Sequence, residues 1–153
     1  MQLDRNWIAS RIPHRYGMCL LDAVISWDAA RVVCSATSHR DTENPLRAHG
    51  RLGAACGVEY AAQAMAVHGA LLASEGAPPG AGYLASVRDV TLHASRLDDV
   101  DADLDIEALR LAGDDNNILY QFSVRADGRD LLGGRAMVVL DATLLRRPSG
   151  NKA

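Results

Sequence analysis

The 153-residue sequence predicts an α+β fold in which an antiparallel sheet of about five to six strands wraps around one long central helix. Two short segments rich in β-branched and aromatic residues come first, a long segment rich in alanine and leucine follows, and segments of alternating polarity come last. This order lacks the repeated strand–helix alternation of a parallel sheet. The long segment is apolar on nearly every face, which is typical of an enclosed helix.

The N-terminal part is predicted to form a short helix and two strands. Asp4 is placed to cap the helix, and Pro13 ends it. The strands are residues 23–27 and 31–38, and the three residues between them suit a hairpin loop. The segment 39–51 is polar and is interrupted by proline and glycine, which predicts an irregular loop.

The long helix is predicted over residues 53–74, which include ten alanines or leucines and almost no β-branched residue. A turn-rich loop over 76–80 follows it. The remaining strands are predicted to form an antiparallel meander over 83–92, 103–111, 118–125 and 131–140. A sheet wrapped around one buried helix is the hotdog fold, whose edge strand usually pairs across a dimer. We expect a single hotdog domain over 1–145, at least dimeric, and a flexible polar tail over 146–153.

Composition and charge exclude several classes of protein. The net charge of -3 argues against a nucleic-acid binder, which needs a positive surface. No apolar run approaches the roughly 20 residues of a membrane span, and no secretory signal is visible, so we expect a cytoplasmic protein that does not enter the membrane. Cys19, Cys34 and Cys56 lie far apart among apolar neighbours, which predicts buried free thiols. The acidic stretch 98–105 lacks the spacing of a calcium loop and is predicted to be solvated, and we expect neither a metal nor a cofactor.

Two titratable residues near the long helix are candidates for catalysis. Glu59, on an apolar helix, is a paired charge, a local cap or an acid that faces a cavity. His49 taken alone is an ordinary loop histidine, but it precedes the helix that carries Glu59, and an imidazole and a carboxyl at one cavity suit acid–base chemistry. Gln63, four residues after Glu59, either orients that carboxyl or is an ordinary buried amide. Free N–H groups near residues 55–57 are placed to hold an oxyanion.

Three groups of residues carry a resemblance to a known family. They are Pro13-His14-Arg15-Tyr16 with Leu20-Leu21-Asp22; Asn44-Pro45, His49-Gly50, Gly57-Val58-Glu59 and Gln63; and Tyr83-Leu84-Ala85-Ser86-Val87 with Asp127-Gly128-Arg129. Over about residues 10–141, the chain resembles the hotdog-fold 3-hydroxyacyl-[acyl-carrier-protein] dehydratases of the FabZ type, and more closely their ApeP-like branch.

The resemblance implies an activity and roles for particular residues. His49 corresponds to the histidine that removes the α-proton of a 3-hydroxyacyl thioester, and Glu59 to the acid that protonates the departing 3-hydroxyl. The region of Gly57 and Val58 corresponds to the helix-start amide that binds the thioester carbonyl, with Gln63 in support. The histidine and the acid of one site come from different protomers in this family. The product that the resemblance implies is a trans-2-enoyl thioester of fatty-acid, aryl polyene or polyketide-like synthesis.

The resemblance also implies an acyl thioester on a carrier protein or on coenzyme A. An acidic carrier protein would meet a basic rim, for which the candidates are Arg47, Arg51, Arg88 and Arg96. Two other functions stay open, because the segment between His49 and Glu59 is shorter than in the FabZ type and lacks its prolines. One is a hotdog acyl-CoA thioesterase, although Arg51 replaces the second glycine of that pattern. The other is a non-catalytic subunit in a heterodimer with an active hotdog dehydratase.

Overall fold

The computed structural model describes residues 3–12, 18–73, 83–114 and 116–139. Its helices and strands are α1 (Arg5–Arg11), β1 (Ala23–Trp27), β2 (Arg31–Ala36), α2 (Gly57–Leu72), β3 (Tyr83–Leu92), β4 (Leu104–Gly113), β5 (Asn117–Ala126) and β6 (Arg129–Val139). The strands form one six-stranded antiparallel sheet, which confirms the predicted α+β architecture. Pro13, the loop 76–80 and the tail 146–153 lie outside the described residues.

The strand order in the sheet is β1-β2-β4-β5-β6-β3. Strands β4, β5 and β6 form a meander as predicted. The prediction that β3 belongs to the same meander, and so pairs with β4, is wrong, because β3 pairs with β6. The physical reason is that β4 has no free edge, since β2 pairs with one side of it and β5 with the other. The chain therefore crosses from β3 to β4 through the segment 93–103, and β1 and β3 are the two edge strands.

The N-terminal elements lie where the sequence predicts them. The Asp4 carboxylate caps α1 by accepting a hydrogen bond from the N–H of Trp7 at 3.0 Å. Strand β1 has its predicted range, whereas β2 ends at Ala36 because the chain then enters a short 3-10 helix, Ser38–Arg40.

Helix α2 begins and ends slightly inside its predicted range, and a 3-10 turn, Ala54–Cys56, leads into it. The helix packs mainly against β2, β4 and β5, and Leu72 is its one exposed residue, which confirms the prediction of a buried helix. A Cβ at Gly57 would come within 2.5 Å of a side-chain carbon of Leu132 on β6. Glycine at this position therefore allows the start of the helix to approach the sheet closely. No helix among the described residues is long and apolar enough to cross a membrane.

Two of the histidines that the structure describes are fully buried, and neither was distinguished by the sequence. His68 Nε2 lies 2.8 Å from the carbonyl oxygen of Asp28, and Nδ1 lies 2.8 Å from the hydroxyl of Tyr120. Because a carbonyl oxygen only accepts, Nε2 carries the proton and Nδ1 accepts from the tyrosine. His39 Nε2 lies within 3.1 Å of two backbone carbonyl oxygens in the segment before β4. Burial lowers the pKa of both histidines, which keeps them neutral near pH 7.

We expect the free energy of unfolding to decrease as the pH falls below about 6.5, because His39 and His68 bind protons more readily in the unfolded chain. Their stabilising contribution is complete above the unfolded-state pKa and is lost as the pH falls towards the lowered folded-state pKa, with a slope of up to about 1.4 kcal/mol per pH unit for each histidine. Urea unfolding between about pH 7.5 and pH 5.5 measures this slope. Replacing the exposed His93 by glutamine should leave it unchanged, whereas His39→Gln should reduce it. A stability that is constant across this range would contradict the prediction.

Candidate active site

His49 lies at the tip of a two-residue turn. Ala48 and Arg51 exchange two backbone hydrogen bonds, of 2.9 and 3.1 Å, and the two residues between them, His49 and Gly50, have positive φ angles of 55° and 76°. Two consecutive positive φ angles are typical of a type I′ turn, a conformation that histidine adopts less readily than glycine or asparagine. The His49 side chain is exposed, and it makes no hydrogen bond or ion pair with the described part of the chain. The turn therefore presents the imidazole to solvent.

Glu59 lies in the first turn of α2, and its side chain is half-buried. Gln63 is fully buried, and its Nε2 donates to a carboxylate oxygen of Glu59 at 3.3 Å and to the carbonyl of Met18 at 2.7 Å. The Gln63 Oε1 atom accepts from the N–H of Leu20 at 2.8 Å. Gln63 is therefore a satisfied buried amide whose Nε2 atom also contacts the carboxyl group of Glu59.

A hydrogen-bond network continues from this point to the loop that precedes the helix. The carbonyl of Leu20 accepts from the Ser38 hydroxyl at 2.7 Å, and the Ser38 oxygen lies 2.7 Å from the Tyr60 hydroxyl. Asn44 Nδ2 donates to that tyrosine oxygen at 3.0 Å. Burial raises the pKa of Tyr60, so the hydroxyl keeps its proton and donates it to Ser38. The network fixes the first turns of α2 against the segment that contains Leu20 and against the loop 38–44.

The backbone N–H groups at the helix start, predicted to be free near residues 55–57, are free only in part. The N–H of Gly57 is not free, because it donates to the carbonyls of Ala54 and Ala55 and closes the 3-10 turn. The N–H groups of Ala54 and Cys56 also have carbonyl partners. Ala55 is exposed, and its N–H donates to no group in the described part of the chain. Among the amides of residues 54–57, that of Ala55 is therefore the one without a partner in the described chain, and Val58 lies half-buried in the helix beyond it.

The structure does not join His49 to Glu59 by a hydrogen bond or ion pair within the described chain. Two surface cavities, of about 320 and 520 Å³, lie elsewhere, near β3 and the segment before β4. Neither His49 nor Glu59 lines them. An imidazole and a carboxyl group are therefore present near the start of α2, and within the described part of the chain no hydrogen bond or ion pair joins them.

Of the four arginines predicted to form a basic rim, two are engaged within the protein. Arg47 lies 3.9 Å from Asp98 Oδ2 and donates hydrogen bonds to three nearby backbone carbonyls. Arg96 forms an ion pair with the same carboxylate. Arg51 and Arg88 are exposed and form no ion pair with the described residues. Only these last two remain available to meet an acidic partner.

The acidic stretch 98–105 is not uniformly solvated, which corrects the prediction at its first residue. The Asp98 side chain is only 7% exposed, and its Oδ1 atom accepts from Arg96 Nε at 3.0 Å and from the N–H of Leu52 at 2.9 Å. These two donors hold the pKa of Asp98 well below its usual range. The other aspartates of the stretch are exposed, as predicted. The prediction of buried free thiols holds for two of the three cysteines. Cys19 and Cys34 are buried and free, whereas Cys56, at the helix start, is free but only half-buried.

Comparison with known families identifies the chain. A sequence model of the ApeP-like family, described as ApeP dehydratase, matches residues 7–144. The chain belongs to the ApeP-like dehydratase family. It is accordingly an enzyme of the hydro-lyase class, as the sequence predicted. Comparison with curated proteins gave no match.

Solved structures place this ApeP-like dehydratase among hotdog proteins. The chain is similar to a chain of "The Dehydratase Heterocomplex ApeI:P" from Xenorhabdus doucetiae, with a TM-score of 0.80 and 26% identity over 92% of this chain and 95% of that chain. A mutant thioesterase from Pseudomonas aeruginosa has a TM-score of 0.57 and 12% identity over 76% of this chain and 78% of its own. A thioesterase from Haemophilus influenzae has a TM-score of 0.57 and 13% identity over 76% of each chain. The two thioesterases show a shared hotdog fold, and at such identities they show nothing about activity.

Proposed function

We propose that this protein dehydrates a 3-hydroxyacyl thioester, carried by an acyl carrier protein, to the trans-2-enoyl thioester in polyene or polyketide-like synthesis. The observation that carries the proposal is the ApeP-like family match over residues 7–144, which spans both His49 and Glu59. The geometry supports it with an exposed imidazole and a half-buried carboxyl near the start of one helix. Elimination of water requires a base and an acid of this kind.

In the proposed reaction, His49 takes the α-proton and Glu59 protonates the 3-hydroxyl. The electrons of the broken C–H bond form the double bond between the α- and β-carbons as the C–O bond breaks, and the hydroxyl leaves as water. Negative charge on the thioester oxygen is held by a backbone N–H at the helix start, for which the open amide of Ala55 is the best-placed donor. Gln63 orients the Glu59 carboxyl, and the proton on His49 returns through solvent to Glu59.

We propose further that the active site forms between two hotdog chains. Leu84, Val90 and Leu92 of β3 are 40%, 39% and 48% exposed. Leu84 and Leu92 pair with the buried residues Val138 and Leu132, so they lie on the core side of the sheet and extend the core to an uncovered edge. A second hotdog chain fits this apolar edge. The relative in the ApeI:P structure belongs to a dehydratase heterocomplex, which favours a distinct hotdog chain as the partner here, with a second copy of this chain as the alternative.

The experiment that tests this function follows two products in one reaction. Purified protein is incubated with a 3-hydroxyacyl thioester on a carrier mimic, and enoyl absorbance and free thiol are recorded together. Enoyl formation without thiol release supports the dehydratase. Thiol release would indicate a thioesterase instead. If the chain is inactive alone but the enoyl product forms once a second hotdog chain is co-purified with it, the chain acts in a heteromer. If neither the enoyl product nor free thiol forms with such a partner present, the proposal is overturned.

A further inference from the structure

The segment that links His49 to α2 is anchored to the chain between β3 and β4. Leu52, three residues after His49, is fully buried; its carbonyl accepts from the N–H of Leu97 at 2.8 Å, and its N–H donates to Asp98 Oδ1 at 2.9 Å. Just beyond it, the N–H of Ala54 donates to the carbonyl of Ser95 at 3.1 Å. These bonds anchor the chain that directly follows the His49 turn to the segment between β3 and β4.

Arg47 holds the His49 turn itself and meets the same carboxylate. Its Nη1 atom donates to the carbonyl of Gly50 at 3.4 Å and lies 3.9 Å from Asp98 Oδ2. Its Nε and Nη2 atoms donate to the carbonyls of Asp41 at 2.9 Å and His39 at 3.4 Å. The side chain is only 15% exposed, so little water competes for these bonds. One guanidinium therefore connects the residue that directly follows His49 to the carboxylate that binds Leu52.

We propose that Asp98, acting through Arg47 and Leu52, is a positioning residue that fixes the backbone of the His49 turn and with it the place from which the imidazole projects. His49 needs such support because its own side chain has no partner in the described chain and its backbone has a positive φ. A turn of this kind keeps its geometry only when the surrounding structure determines it. The inference rests on the proposed role of His49 as the base.

The variant Asp98→Asn keeps an oxygen that can accept from Leu52 but removes the charge that binds Arg47 and Arg96. We expect kcat to fall by about 10- to 100-fold with KM nearly unchanged, because a base displaced by about 1 Å loses rate rather than substrate affinity. The matched control is Asp99→Asn, the neighbouring aspartate, whose side chain is 61% exposed. This control should retain the wild-type kcat.

A second variant keeps the test valid if Asp98→Asn does not fold. Arg47→Lys preserves the positive charge near Asp98 but loses the planar group that reaches the carbonyls of Gly50 and His39. It should reproduce the loss of kcat in a protein that is folded by circular dichroism. Adding either replacement to His49→Asn should lower the residual rate no further, since both act through the imidazole.

Three results separate the inference from the proposed function. Wild-type kcat in both Asp98→Asn and Arg47→Lys would overturn the inference alone. Losses that multiply in the double variants with His49→Asn would also overturn it, because they would show a role independent of the imidazole. Full activity of His49→Asn itself would overturn the proposed function instead.

Discussion

Replacing His49 by asparagine is expected to lower kcat for dehydration by about 10²- to 10⁴-fold, the usual contribution of a general base. Asparagine is the informative replacement because it tolerates positive φ, and His49 has a φ of 55°. The turn therefore keeps its shape while the imidazole is lost. Initial rates of enoyl formation at saturating substrate measure the effect.

The control for this prediction is His93→Asn, which removes another exposed imidazole near a different part of the sheet. It should retain the wild-type kcat. Unfolding in urea should give similar midpoints for both variants, since neither side chain is buried. A His49→Asn protein with the wild-type rate would show that His49 is not the base.

The elements of the fold could be predicted because their signals are local. The Asp4 cap, the alanine-rich helix and the alternating strands each depend on residues a few positions apart. The position of β3 could not be predicted in this way. Alternation determines which face of a strand is buried, but it does not determine which strand lies beside it. Strand β3 pairs with β6, although β4 and β5 lie between the two in the sequence.

In the candidate site, too, contacts between residues near in sequence could be predicted, whereas contacts between distant residues could not. The contact between Glu59 and Gln63 follows from a spacing of four on one helix, so the sequence predicted it. The anchoring of the His49 turn by Asp98 joins residues 46 positions apart through a side chain in an acidic run, and nothing in the run marks its first member as buried. The predicted range of free amides, 55–57, included Gly57 because the 3-10 turn ahead of α2 was not foreseen, and the N–H of Gly57 donates within that turn.

Replacing Glu59 by glutamine is the second change with a large expected effect, again a loss of about 10²- to 10⁴-fold in kcat. An amide has no acidic proton to give to the departing hydroxyl. The replacement is nearly isosteric, and its carbonyl oxygen still accepts from Gln63 Nε2, so the protein should remain folded. The matched control is Glu107→Gln on β4, which alters a partly exposed pair with Arg31 and should leave kcat unchanged. A normal rate for Glu59→Gln would remove Glu59 from the mechanism.

Mixing the two variants then tests whether one active site takes His49 from one chain and Glu59 from the other. In a homodimer assembled from His49→Asn and Glu59→Gln chains, one site carries both replacements and the other carries neither. Random exchange makes half of the dimers mixed, so activity should recover to about a quarter of the wild-type rate. If both residues of a site belong to one chain, every site contains one replacement. A mixture that has exchanged subunits but stays inactive would therefore contradict a site shared between protomers.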